Sequence, residues 1–154
     1  MGYAVLHIDK ARSNDSGNTA HIARTYTPSN VDPSRTRLNR ELVQFPANVT
    51  NRSEAIEHRI ATAGIYRKVA KNQVKALRFI LSSSPEDMAR IEQEGLLYEW
   101  CDESMDWLRS TFGADNVVAA TLHADEDTPH IHATVVPIVT GERRKAKEEA
   151  ENGK

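Results

Sequence analysis

The chain contains one cysteine, Cys101, so no internal disulfide framework can hold it together, and a lone thiol fits a reducing cytoplasm. It lacks any apolar run near the ~20 residues that a bilayer-spanning helix needs. The opening Met1-Gly-Tyr-Ala-Val-Leu-His-Ile-Asp9 has no basic start and too short an apolar stretch for a secretory signal. Leu6 also argues against myristoylation at Gly2. No internal repeat is visible. What remains is a chain of 154 residues, most simply one domain, long enough to bury a core.

A strong net charge is missing too: the formal balance is −2. That near-neutrality hides an asymmetry. From Pro33 to Arg78 there are ten cations and three anions, a net +7. From Glu86 to Asp127 the balance reverses, with twelve acids against Arg90 and Arg109. A basic segment on an otherwise acidic protein reads either as a polyanion-binding surface or as a solvated helix face. Charge alone does not choose between them.

The local signals alternate between strand and helix. Tyr3-Ala-Val-Leu-His-Ile8 reads as a strand, 13–19 as a polar loop, and 19–24 as a short helix. Asp32-Pro33 places an N-cap before a proline, so a helix begins at Pro33. A second runs from Asn51 to about Ala63, stopped by Gly64. Val74 to Ser82 reads as a strand. Ser84-Pro-Glu-Asp87 is a strong helix start, and that helix extends to Phe112 with a break near Gly95. Leu97, Trp100, Cys101, Met105, Leu108 and Phe112 form its apolar stripe, which marks core rather than a cofactor site. Two strands follow, 116–122 and 133–138. The order implies an α+β fold with helices packed against an antiparallel sheet over 1–140. The charged stretch 141–154 reads as a tail leading to a further domain.

Three histidines sit in ten residues between those last strands: His123-Ala-Asp-Glu-Asp-Thr-Pro-His130-Ile-His132. Strand side chains alternate faces, so His130 and His132 point the same way. If the polar turn folds the preceding strand back, His123 joins them. A single histidine on a strand is more often a core or surface residue. Three with this spacing, beside carboxylates, favour a divalent-metal site with open positions. The three-histidine shell could hold zinc, and the adjacent carboxylates with room for phosphate oxygens also suit manganese or magnesium; the residues leave the metal open, with manganese the first expectation. His7 and His58 read as structural or surface residues.

A second cluster is Asn18-Thr-Ala-His21-Ile-Ala-Arg24-Thr-Tyr26. His21 and Arg24 are i and i+3, on neighbouring faces of a helix. An arginine fork can hold a phosphate beside a nucleophile, and either His21 or Tyr26 can form a covalent bond to phosphorus. A histidine near a loop is also commonly plain polar surface.

These segments, with Asn30-Val-Asp-Pro-Ser-Arg-Thr-Arg-Leu-Asn39, resemble the three ordered motifs of MobV (Mob/Pre) plasmid relaxases, a branch of the HUH endonucleases. The third motif is highly specific and the first is weak alone; together they cover most of 1–140. The resemblance implies an enzyme that nicks one strand at a plasmid's origin of transfer and stays attached to the 5′ phosphate. It further implies metal binding by His123, His130 and His132, attack by His21, and a phosphate grip by Arg24. Glu126 would orient or deprotonate His21. Asn30, Asp32, Ser34, Arg35, Arg37 and Asn39 would contact DNA or shape the loop, with the +7 segment facing the strand. Ile22-Ala23 departs from the polar residues common at that place, and Tyr26 keeps the tyrosine alternative open. Two other readings stand beside this one: a metal-dependent phosphoesterase that uses water, and a non-catalytic module that binds single-stranded or hairpin origin DNA.

Overall fold

The structure, a computed structural model, describes residues 5–13, 15–26, 28–63 and 74–138, without the side chains of Val5 and Leu6. Tyr3-Ala4 of the expected first strand, the Gly64 stop, the cations Arg67, Lys68 and Lys71, and the 141–154 tail lie outside them.

Five strands form one sheet: β1 (Val5–Ala11), β2 (Arg40–Glu41), β3 (Ala76–Ser82), β4 (Val117–His123) and β5 (His130–Val135). Their spatial order is β1-β3-β5-β4-β2, and every neighbouring pair is antiparallel. The helices are α1 (Ser16–Ile22), α2 (Arg52–Thr62), α3 (Pro85–Gln93) and α4 (Leu97–Phe112). The α+β expectation therefore holds.

Local chemistry accounts for most boundaries. The Ser84 side chain accepts from the Asp87 N–H, Pro85 follows, and Glu86 and Asp87 face the positive end of α3. Gly95, at φ 72°, makes the turn that separates α3 from α4. Asn51 caps α2 by accepting from the Glu54 N–H. Two expectations are corrected. α1 begins at Ser16, inside the stretch read as loop, because long-range contacts hold this glycine-containing turn. Thr19 Oγ1 bonds the Asp15 carbonyl and Ser53 Oγ, and Asp15 pairs with the buried Arg52. The helix at Pro33 is a short 3-10 helix, Pro33–Leu38, because the chain turns into β2 directly after Asn39. β2 itself, only two residues long, carries no sequence signal and was not expected.

Residues paired across strands share a face, so the register sorts the sheet into two sides. Phe79, Leu81, Ile131, Ala133, Val135, Leu122 and Ala120 point to one side, against Cys101, Met105 and Leu108 of α4. Ala11, Ala76 and Ala119 share the other side and meet Ala55 and Ile56 of α2, joined by Val118. A register shift between Val117 and Ala119 turns Val118 to this side. The α2 face also carries the histidines.

Candidate active site

β4 ends at His123 and β5 begins at His130, and the two residues pair directly across the hairpin. His132 pairs with Thr121, one rung further along the same face. Strand alternation and the six-residue connection 124–129 thus put three imidazoles on one side. Their ring centroids lie 4.7 to 5.4 Å apart. Glu126, on the connection, completes the group: four ligand atoms, one per residue, all within 4.8 Å of one another.

Hydrogen bonds at the far side of two rings define which nitrogens face inward. His123 Nε2 lies 2.8 Å from the Ile22 carbonyl, and His130 Nδ1 lies 2.8 Å from the Thr128 carbonyl. A carbonyl only accepts, so each of these nitrogens carries the proton. The other ring nitrogens, His123 Nδ1 and His130 Nε2, stand 3.4 and 3.3 Å from Glu126 Oε2. His132 Nε2 is 3.2 Å from His130 Nε2. Burial pushes His123 down to about 4, reinforced by the charges of Arg24 and His130. Burial likewise lowers His132, with His123 and His130 adding to it. Both are therefore neutral at pH 7, the form that binds metal. Three imidazoles and a carboxylate, with carbonyls fixing two of the rings from behind, fit a divalent metal ion.

The end of α1 is bound to this cluster. Beyond Ile22 the chain turns in a Schellman motif: Arg24 N–H donates to the His21 carbonyl at 3.3 Å and Thr25 N–H to the Ala20 carbonyl at 3.1 Å. The left-handed position, usually glycine, is filled by Arg24 at φ 57°. Such a conformation is costly for a side-chain-bearing residue and persists where its surroundings over-determine it. Here they do. Arg24 Nη1 donates to the His21 carbonyl, Nε and Nη2 to Asp125, and Nη2 also to Glu126, all between 2.8 and 3.0 Å. Nη2 lies 3.2 Å from His123 Nδ1 as well.

Asp125, fully buried, is the hub that the sequence reading missed. It accepts from Arg24, from Thr36 Oγ1 at 2.8 Å and from Asn39 Nδ2 at 3.0 Å, while its carbonyl accepts from the Asp32 N–H. Burial alone would raise its carboxyl; the donors from Arg24, Thr36 and Asn39 override that and hold it well below the usual carboxylate range. Its partners lie 86 to 101 positions away, so no local pattern announces it. The only hint is a second acid two positions after His123.

The structure brings His21, Arg24, Glu126, His123, His130 and His132 to one end of the sheet. Arg24, expected to grip a phosphate, makes contacts within the protein through all three guanidinium nitrogens. Glu126 does not pair with His21: its Oε1 accepts from Asn30 and its Oε2 from Arg24. The polar partner of the His21 ring is Tyr26, with Nδ1 and the phenol oxygen 3.1 Å apart. Several residues of the second segment make contacts within the chain. Asn39 clamps Asp125 and the Ala124 N–H; Asp32 caps the 3-10 helix through Ser34; Arg35 pairs with Glu92. Arg37 is exposed, with its carbonyl bonded to Arg40. His7 is exposed and His58 half-buried on α2, away from the cluster.

Known proteins resemble this chain. A plasmid recombination enzyme type 3 from Staphylococcus aureus is 32% identical over 162 residues, which cover all of this chain and 38% of that protein. A 65 kDa protein from Zymomonas mobilis is 30% identical over 137 residues, spanning 88% of this chain and 23% of its own length. The chain therefore spans under two fifths of the curated relatives it matches. Among solved structures, the MobM relaxase domain, Mn-bound and in complex with plasmid pMV158 oriT DNA, superposes with a TM-score of 0.78 at 24% identity. That match covers 97% of this chain and 82% of that one. The whole chain, residues 1–154, matches the Mob_Pre family, described as plasmid recombination enzyme, and belongs to it.

Proposed function

We propose that this chain is a relaxase domain, an enzyme that cuts one strand of plasmid DNA at an origin of transfer and rejoins it through a covalent 5′-phosphate intermediate. The observation that carries the reading is the join between α1 and the histidine cluster. His123 bonds to the carbonyl of Ile22, and Arg24 links the His21 carbonyl to Glu126, so the end of the His21 helix is held against the candidate metal site. Family membership supports the same chemistry, as does the oriT DNA bound to MobM. A plasmid substrate sets the reaction in the cytoplasm.

His123, His130, His132 and Glu126 would hold the metal. Manganese is the first candidate, given the mixed nitrogen and oxygen donors and the Mn-bound MobM; zinc and magnesium are alternatives. A divalent ion there would draw charge from the non-bridging oxygens of the scissile phosphate. The protein's own residues do the rest. Neutral His21 attacks phosphorus, a P–N bond forms, the P–O3′ bond breaks, and the electron pair leaves on the 3′ oxygen, which takes up a proton. The 3′-OH can then reverse the step, so cutting and joining share one site. Arg24 braces this geometry from within, and Asn30, through its bond to Glu126, steadies the fourth ligand. Exposed Arg37 and Arg40, from the basic segment 33–78, would meet the DNA backbone.

The test is a denaturing gel of full-length protein with labelled single-stranded DNA from its own plasmid and Mn2+. A covalent adduct that is acid-labile and absent in His21→Ala supports the reading. An acid-stable adduct lost instead in Tyr26→Phe moves the nucleophile to Tyr26. Cleavage with no adduct would identify a water-using phosphoesterase, and tight binding with no cleavage would identify a DNA-binding module.

A further inference from the structure

The mechanism above leaves Tyr26 idle, yet its hydroxyl is the polar partner of the His21 ring. The phenol oxygen lies 3.1 Å from Nδ1, and the two rings sit 6.0 Å apart at a 54° tilt. This contact is built rather than incidental. The left-handed turn at Arg24 and the Thr25 N–H to Ala20 carbonyl bond send the chain back along α1. Thr25 Oγ1 adds a second bond to the same Ala20 carbonyl, which anchors the residue just before Tyr26.

We propose that Tyr26 is a positioning residue for His21: its oxygen accepts the Nδ1 proton and so selects the tautomer in which Nε2 is free to attack phosphorus. The inference rests on His21 being the nucleophile. A neutral imidazole has one N–H and one lone pair, and the bond made by one nitrogen decides the state of the other. If the phenol donated to Nδ1, Nε2 would keep its proton and could not attack. If it accepts, Nε2 holds the lone pair, and Nε2 is the nitrogen turned away from Tyr26. Tyr26 is 52% exposed, so its own hydroxyl proton is directed to water when its oxygen accepts. Attack gives an Nε2–P bond and a positive ring. The P–O3′ electron pair departs on O3′, which is protonated by water, while Nδ1–H, now charged, bonds more strongly to the phenol oxygen. Loss of that proton to solvent leaves a neutral ring on the anionic phosphoramidate.

The experiment is nitrogen NMR of the histidine-labelled full chain without DNA, comparing wild type with Tyr26→Phe and assigning the signal with His21→Ala. The same proteins are then timed in the adduct assay. Expected are a protonated Nδ1 in wild type, a shift toward protonated Nε2 in Tyr26→Phe, and adduct formation slowed about tenfold, the worth of one hydrogen bond, with single-strand affinity unchanged. A wild-type ring protonated on Nε2, a tautomer that ignores Tyr26→Phe, or a shifted tautomer with an unchanged rate would each overturn the assignment. An acid-stable adduct made by His21→Ala would instead overturn the His21 reading beneath it. Because the spectrum needs no reaction, the two failures are distinguishable.

Discussion

The two faces of the sheet are made from the same strands and solve opposite problems. On the α4 side, Phe79, Leu122, Ile131 and Val135 meet Met105 and Leu108, and hydrophobic burial does the work without needing any particular partner. On the α2 side, the next residues along those strands are His123, His130, His132 and Thr134. Thr134 accepts from the buried Arg52, and Asp125 gathers Arg24, Thr36 and Asn39. Hydrocarbon packing tolerates exchange of similar shapes, whereas a buried polar network is costly unless every member is satisfied. The α4 face should therefore govern how stable the protein is, and the α2 face what it does.

The sharpest test of this division is His130→Ala. Losing one of the four clustered ligand atoms should lower adduct formation more than the 10–100-fold typical of losing an outer-shell partner, while metal-free melting changes little. An active His130→Ala would break the division at once. Asp125→Ala comes next and touches both properties. It leaves the buried Arg24 with Glu126 as its remaining carboxylate partner and strands the donors of Thr36 and Asn39, a loss of about 3–5 kcal/mol by denaturant unfolding. Activity should fall too, because Asp125 fixes the guanidinium through which Arg24 joins α1 to Glu126. Leu108→Ala, on the other face, should cost about 2–5 kcal/mol yet leave the adduct rate per folded molecule unchanged.

The legible parts of the molecule are those whose cause is local. The histidine convergence follows from a period of two and a polar turn, and the α3–α4 break from Gly95. The apolar stripe from Leu97 to Phe112 follows from helical spacing. The illegible parts depend on distant residues. α1 starts early because Arg52 and Ser53 of α2 hold Asp15 and Thr19. Arg24 turns inward because Asp125, 101 positions later, receives it. An arginine beside a candidate nucleophile is equally a phosphate clamp or an internal brace by composition, and only its contacts separate the two. The pairing of Glu126 with Asn30 rather than His21 is of the same kind: both candidates are visible in the sequence, and the geometry of the 124–129 turn chooses.

Acidity offers a gentler way to separate the faces, since only one of them titrates. His123 takes a proton near pH 6.5 when unfolded but only near 4 in the fold, first because it is buried and then because Arg24 and His130 repel the charge. Below 6.5 the unfolded chain therefore binds more protons, and stability of the metal-free protein should fall as pH drops from 6.5 through about 4. His132 is shifted the same way and adds to the slope. Thermal melts in chelator across this window should show it, and Mn2+ should raise the melting temperature at pH 7 but progressively less on acidification. A flat profile would mean that the imidazoles are not held neutral by burial.

The smallest effect tests whether the division extends beyond the sheet. Ser84 caps α3, which packs on α4. In Ser84→Ala the Asp87 N–H loses the side-chain oxygen it donates to, at a cost of about 1 kcal/mol. Pro85, Glu86 and Asp87 remain to favour the same helix start, so the loss should stay local and melting should drop by only a few degrees. Adduct formation and its metal dependence should match wild type, because Glu92, which ties α3 to Arg35 of the 3-10 helix, sits at the opposite end of α3 from the Ser84 cap. A slower adduct in Ser84→Ala at full occupancy of the folded state would show that the hydrocarbon face does more than support the sheet, and the separation of stability from chemistry would have to be abandoned.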